Sequence, residues 1–441
     1  MMTVREHVLN IVHEFWTTQK RLKSISESYF INNKVSDSDK RRITVFSREV
    51  VKWTYHLDVW IEHVSKRPID KIKPRLLVIL EMATYELTMD DHTPSHAAIN
   101  SAVDLANKRV GSFAKGFVNG ILRGISRLDE NTVYNGINPE NQVSHWHSYQ
   151  NWMVKRWVDQ FGKDEVKDIL TAGNKYPSLT VRINTRKISV DTFLEMCQNL
   201  EILVKPSPQS QIFFDVQKNA GKLLRHELFQ TGAWSFQDRA AGMLVELLDP
   251  QENDIILDVC AAPGTKSLYI AEQMNGTGTV FSSDADEERV ALGLNDVNRH
   301  GYKSIQWTTL DATKAKFPEA DKILIDAPCT GTGVIRRRPD IKWRRTESEV
   351  SEMADIQFAI LSNVCDYVKS DGIMVYGTCS LEIEENMGVV NRFLESRTDF
   401  SIDTAIPEVL KVWENEIGAV ETFPHRHSLD GMFGIRLKKH D

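Results

Sequence analysis

The sequence predicts a multidomain protein in which an all-α N-terminal bundle precedes an α/β domain built on a parallel sheet with helices on both faces. Three observations carry this expectation. At 441 residues the chain exceeds what one hydrophobic core organises, so two or three domains are expected. Residues 1 to about 130 show apolar spacing of helical period and no strand-period alternation of any length. From about residue 231, short apolar runs ending in turn or acidic residues alternate with helical stretches.

Taken in order, the first domain is expected over 1–135. "ITVFSREVVKWTYHLDVWIEHV" (43–64) brings Val45, Val50, Val51, Tyr55, Leu57 and Ile61 near helical spacing. "SHAAINSAVDLANKRV" starts with Ser95 as N-cap and continues as an Ala/Val/Leu stripe, and "FAKGFVNGILRGISRL" is a third amphipathic segment. The polar, turn-rich "DENTVYNGINPENQ" (129–142) reads as a linker. Residues 136–230 are expected as a connecting mixed α/β subdomain. It opens with "WHSYQNWMVKRWVDQFG", whose Trp146, Trp152 and Trp157 are expected to bury a helical face rather than stack on bases. In the third domain, 231–441, the strands are "DIILDV" (254–259), "GTVFSSD" (278–284), "KILIDA" (322–327) and "GIMVYGT" (372–378). "FPHRHSLDGMFGIRLKK" is expected to turn at Asp430-Gly431 into a closing strand.

Composition narrows the class. Hydrophobic residues make up 41% and charged residues 26%, and no apolar stretch reaches the roughly 18–20 residues that span a bilayer. "MMTVREHVLN" lacks a signal peptide's long apolar segment, so a cytoplasmic protein without a membrane partner is expected. Five cysteines without CxxC spacing argue against a disulfide scaffold or zinc ribbon, and Cys197 and Cys365 read as small core residues. The pairs His145/His147 and His425/His427 lack a cysteine or carboxylate at ligand spacing, so no metal is expected. The net charge of −7 is spread unevenly. "RRRPDIKWRR" (336–345) concentrates Arg336, Arg337, Arg338, Lys342, Arg344 and Arg345 around Trp343. This suits phosphate contact plus stacking on a nucleic acid, or simply a solvated face.

In parallel sheets ligands bind beyond the carboxyl ends of the strands, and the distinctive residues fall there. In "DVCAAPGTKS" (258–267) Asp258 closes a strand and Gly264 permits a tight turn. Small Ala261 and Ala262 let a ligand approach the free N–H groups of the helix that follows. The loop is neither a P-loop nor GxGxxG, which argues against a nicotinamide oxidoreductase. The next strand ends in Asp284, suited to ribose hydroxyls, and "TTLDATK" offers Asp311, suited to an adenine amino group. Three acids at successive strand ends describe a nucleoside site; three helix caps are the plainer alternative.

"LIDAPCTGTG" (324–333) and "GTCSLEIEEN" (377–386) each follow an apolar run with a cysteine. Cytosine C5 is a poor nucleophile, but a thiolate added to C6 makes it electron-rich, helped by an acid at N3. A base must then remove the C5 proton so that the thiol can leave. Asp326, Cys329 and Cys379 supply those groups; two packed, unreactive cysteines are the alternative. The chemistry alone leaves the order of the thiols open.

On these residues the chain resembles a known family. "DAPCTGTGVIRRRPDIKW" and "GTCSLEIEEN" look like the paired cysteine motifs of RNA cytosine-5 methyltransferases, and "DVCAAPGTKS" resembles their S-adenosylmethionine loop. "HAAINSAVDLAN" and "FVNGILR" resemble the RNA-binding fold of the antitermination factor NusB. The combination is similar to the bacterial 16S ribosomal RNA methyltransferases of the RsmB (Sun/Fmu) type. The resemblance implies a NusB-like bundle, a Rossmann-like methyltransferase domain and a monomer acting on 16S ribosomal RNA at cytosine 967 of the customary numbering. It implies Cys379 as nucleophile, Cys329 as the thiol assisting release, and Asp326 at both the cytosine ring and the cofactor's methyl group. The cofactor loop falls on Cys260, Ala261, Ala262, Pro263, Gly264, Thr265 and Lys266, with Asp284 at the ribose and Asp311 at the adenine. Two positions depart from the family pattern: Thr265 where glycine is usual, and Gln150 where proline often precedes the tryptophan. A transfer RNA methyltransferase and a non-catalytic RNA-binding assembly factor are the competing functions.

Overall fold

The computed structural model describes residues 2–441, which fall into two units. The first runs up to Asn174 and includes Arg338–Arg345; the second comprises Lys175–Arg337 and Thr346–Asp441. The segment expected as one subdomain over 136–230 thus divides at Asn174.

Seven helices build most of the first unit: α1 (Val4–Thr17), α2 (Leu22–Asn32), α3 (Asp37–Lys52), α4 (Thr54–Ser65), α5 (Pro74–Thr88), α6 (Ser95–Arg109) and α7 (Ala114–Ile125). A reciprocal capping box between Thr3 and Glu6 starts α1, Ser36 caps α3, and Pro74 opens α5 where no N–H is needed. Val8, Ile11, Phe15, Ile43, Val50, Ile79 and Leu122 share one core. Each such burial is worth about 1.5–3 kcal/mol. The 43–64 pattern is broken at Trp53, whose φ −103° and ψ 12° separate α3 from α4. Val45 stays exposed, because the buried stripe runs through Ile43, Val50 and Val51. Ser95 is the first helical residue rather than the cap. The expected linker is structured: Glu130–Tyr134 is helical, Val133 and Tyr134 are buried, and the Tyr134 hydroxyl lies 2.8 Å from His56 Nδ1.

The second unit holds two sheets. A four-stranded sheet has β1 (Leu179–Ile183), β2 (Leu203–Pro206), β3 (Phe213–Lys218) and β4 (Trp234–Phe236) in the order β2-β3-β1-β4. The larger sheet has β5 (Ile255–Val259), β6 (Thr279–Asp284), β7 (Ile305–Thr309), β8 (Ala320–Asp326), β9 (Val368–Thr378), β10 (Phe400–Ile402), β11 (Val420–Thr422) and β12 (Met432–Lys439). Its order is β10-β12-β9-β8-β5-β6-β7, with β11 paired to β12. Strands β5 to β9 are mutually parallel, whereas β10, β11 and β12 pair antiparallel, so the sheet is mixed. The closing strand expected after Asp430-Gly431 is β12.

Alternate residues along the central strands feed two cores, as a sheet covered on both faces requires. Ile256, Leu324 and Val375 pack with Met243, Leu244 and Leu268. Leu257, Ile323, Ile325 and Met374 pack with Ile360, Leu361 and Val364. Chain order reverses between β5 and β8, and this switch point opens a crevice at their carboxyl ends.

Candidate active site

The loop after β5 is shaped for close approach. Gly264 has φ +101°, and a Cβ there would meet Trp307 Cζ2 at 2.8 Å, so only glycine fits. Thr265 begins the helix Thr265–Gln273, where a β-branched residue is accommodated and its carbonyl accepts from Arg182 at 3.2 Å. Asp258 is fully buried, accepts from Ser267 Oγ at 2.6 Å and is pushed up to about 7 by burial. Its Oδ1 has no hydrogen-bond partner, nor does buried Ser283 Oγ. Asp284, at the end of β6, accepts from Ala262 N–H at 3.1 Å. Arg289, which the sequence did not single out, pairs with Asp284 at 3.3 Å and donates to the Ala262 carbonyl. Asp311 lies just beyond β7; hydrogen bonds from Thr313 and Lys314 hold its carboxyl down at about 2. A glycine cradle, orphaned buried oxygens and carboxylates at successive strand ends fit a nucleoside-bearing cofactor.

Beside this crevice, β8 and β9 deliver the remaining groups. Lys266 Nζ donates to Asp326 Oδ2 at 2.6 Å. Burial would lower the lysine, but the charge and hydrogen bond of Asp326 outweigh it and raise it, so the ammonium is kept. Cys329 Sγ and Cys379 Sγ are 3.3 Å apart and unbridged. Their loops are stitched together: Gly333 N–H donates to the Cys379 carbonyl at 2.9 Å, and Leu381 N–H to Thr332 Oγ1 at 2.9 Å. A Cβ on Gly333 would sit 2.3 Å from the Gly431 carbonyl oxygen. The hydrogen bond to Cys379 and burial push the Cys329 thiol well up, so Cys329 holds its proton. Burial and the neighbouring carboxylates likewise push Cys260 up, which keeps that loop thiol unreactive. Cys197 and Cys365 are buried.

The basic stretch is largely engaged within the protein. Arg336 is buried, donating to Asp430 at 2.6 Å and to the Ser428 carbonyl at 3.0 Å. Arg337 bridges Asp238 and Asp430. In the helical unit Lys342 is fully buried, with Nζ 2.6 Å from Asn174 Oδ1 and 3.8 Å from the Tyr149 ring centroid. Burial and Lys52 pull its ammonium far down. Trp343 Nε1 donates to the Val51 carbonyl at 2.6 Å, and Arg344 stacks over Phe15 at 3.8 Å. These side chains join elements within each unit, and Arg337, Arg338, Arg344 and Arg345 are half-buried. Gln150 directly precedes the helix Asn151–Phe161 without capping it, and its side chain donates to the Lys342 and Arg345 carbonyls. Trp157 is buried, and Trp146 packs on Tyr134 at 4.8 Å. No group of three or more potential metal ligands, and no helix long and apolar enough to cross a membrane, occurs among the described residues.

Comparison with known proteins agrees in extent. A family described as 16S rRNA methyltransferase RsmB/F matches residues 245–438, the NusB family matches 2–127, and an RsmF/B-like ferredoxin-like domain matches 149–218. The chain is 30% identical to a "Probable ribosomal RNA small subunit methyltransferase B" of Bacillus subtilis (strain 168), covering 99% of each chain. It is 31% identical to the protein of the same name from Synechocystis sp. (strain ATCC 27184 / PCC 6803 / Kazusa), covering 92% of each. The crystal structure of a methyltransferase homolog protein from Pyrococcus horikoshii is 26% identical, with a TM-score of 0.59, covering 69% of this chain and all of that one.

Proposed function

This chain belongs to the ribosomal RNA small subunit methyltransferase B family and is a methyltransferase, and from that premise we propose that it methylates C5 of a cytosine in 16S ribosomal RNA, at position 967. The observation that carries the reading is the thiol pair, 3.3 Å apart at the ends of β8 and β9 and beside the Lys266–Asp326 pair.

S-adenosylmethionine, when bound, supplies an electrophilic methyl group. Asp284 and Asp311 would hold its ribose and adenine, and Gly264 would let it approach the helix N-terminus. The target base leaves its stack to enter the crevice. Cys379 gives its thiol proton to solvent and adds Sγ to C6, while the proton shared by the Lys266–Asp326 pair passes to ring N3. Cys379 is taken as the nucleophile and Cys329 as the thiol assisting release, the order that the family resemblance implies. After methyl transfer, water takes the C5 proton, N3 returns its proton to the Lys266–Asp326 pair, and the C6–Sγ bond breaks to release the Cys379 thiolate, which takes up a proton from Cys329.

Bisulfite sequencing of total RNA from a deletion strain tests the reading. The expected result is one lost 16S cytosine signal, restored by the wild-type gene and not by Cys379→Ala. A signal lost from transfer RNA instead would overturn the substrate, and no lost signal would overturn the activity.

A further inference from the structure

The two thiol-bearing loops meet at one buried carboxylate that the reaction scheme does not use. Glu385 is fully buried, and its two oxygens reach both loops. Oε1 accepts from Thr330 N–H at 2.8 Å and from Gln357 Nε2 at 3.0 Å. Oε2 accepts from the hydroxyls of Thr330 and Ser380. Thr330 directly follows Cys329, and Ser380 directly follows Cys379. The carboxylate is itself fixed from behind. The Tyr376 hydroxyl donates to the Glu385 carbonyl at 2.5 Å, and the neighbouring Asn386 donates to the Ser380 carbonyl at 3.0 Å.

We propose that Glu385 is a positioning residue for the thiol pair, a buried clamp whose four side-chain hydrogen bonds set the Cys329 and Cys379 loops in register and hold their sulfurs 3.3 Å apart. The loops leave different strands, β8 and β9, so strand pairing alone does not fix the sulfurs beyond the strand ends. The Gly333–Cys379 and Leu381–Thr332 bonds tie one side of the junction, and Glu385 closes it immediately after each cysteine. Its oxygens bond the residues next to the cysteines, so it acts through them. Removing the carboxylate takes the acceptor from the buried Thr330 N–H and leaves the Thr330 and Ser380 hydroxyls with each other and Thr332, and the Gln357 amide with the Pro328 carbonyl, so the loops relax to satisfy the N–H. A displacement of about 1 Å between reacting groups costs about a hundredfold in rate.

The inference rests on Cys329 and Cys379 being the reacting thiols, and two readouts keep the two ideas separable. The first is turnover with 16S ribosomal RNA. The second is closure of the pair by diamide: the two thiols give up two protons and two electrons to the N=N bond, which becomes a hydrazine, and the disulfide appears as the loss of two hydrogens by mass spectrometry. In Glu385→Ala, kcat is expected to fall about a hundredfold with the KM for S-adenosylmethionine held within about twofold, and closure to slow about tenfold. Glu385→Gln keeps the size and the acceptor for the Thr330 N–H, and is expected to stay within about fivefold of wild type in both. Wild-type closure and turnover in Glu385→Ala would overturn the proposal. So would a Glu385→Gln as slow as Glu385→Ala with normal closure, because the carboxylate would then be handling a proton. Should Glu385→Ala fail to fold, Thr330→Val combined with Ser380→Ala removes both bonds to Oε2 and must slow closure; normal closure there sinks the idea. Full turnover by Cys379→Ala would overturn the thiol chemistry while the closure result still reported on Glu385.

Discussion

Cys329 and Cys379 share one contact, and the proposed reaction divides two tasks between them. With Cys379 as the proposed attacking thiol and Cys329 as the one assisting release, replacing Cys329 removes the release step and not the attack. Cys329→Ala is therefore expected to accumulate a covalent protein–RNA adduct, seen as a slow band on a denaturing gel; free methylated RNA formed at the wild-type rate would refute that division. At this scale the sequence exposed the reactive types, because a cysteine at a strand end is rare enough to notice. It hid their supports. Glu382, Glu384 and Glu385 look alike in "LEIEEN", and only packing shows that Glu385 bonds the residues following both cysteines. The arginines show the opposite: a run of like charges is plain in sequence, while Asp238 and Asp430, which neutralise Arg336 and Arg337, lie far away in the chain.

Two elements carry predictions of their own. The turn into the helix Thr265–Gln273 needs φ +101° at Gly264 and has no room for a methyl group. Gly264→Ala is expected to strain the loop by about 1–3 kcal/mol. If the loop shifts to relieve that strain, S-adenosylmethionine affinity falls about tenfold or more by calorimetry. In the helical unit Asp58 on α4 and Glu81 on α5 face each other, and burial raises Glu81 from 4.5 to about 8. The folded form thus keeps a proton that the unfolded chain releases, so this contribution to stability is full below about pH 4.5 and is lost as pH rises through 8. Melting of the helical unit is expected to drop between pH 5 and 8, and Glu81→Gln to flatten that slope; parallel curves for the two proteins would contradict it. The strand runs at 254–259, 278–284, 322–327 and 372–378 were legible because turn and acidic residues punctuate them. The helix of Glu130–Tyr134 was not, because five residues rich in polar side chains give too little periodicity to outweigh their turn-like composition.

Across the whole molecule the chain crosses from one unit to the other at three places: after Asn174, before Arg338 and after Arg345. Sequence order implies domains that follow one another, so nothing local revealed that a short basic stretch completes the helical unit. Trp343→Ala is expected to destabilise that unit by about 2–3 kcal/mol, through lost packing against Tyr55 and loss of the bond to Val51, read as a lower denaturant midpoint.

That arrangement also sets a timetable during synthesis. The first 174 residues leave the ribosome well before Lys342 and Trp343 are made. At roughly 5–20 residues per second the delay is on the order of ten to thirty seconds. Through that interval the nascent helices wait without the Lys342 bond to Asn174 Oδ1 and the Trp343 bond to the Val51 carbonyl, and they finish folding only when the loop that carries Cys329 has itself been translated.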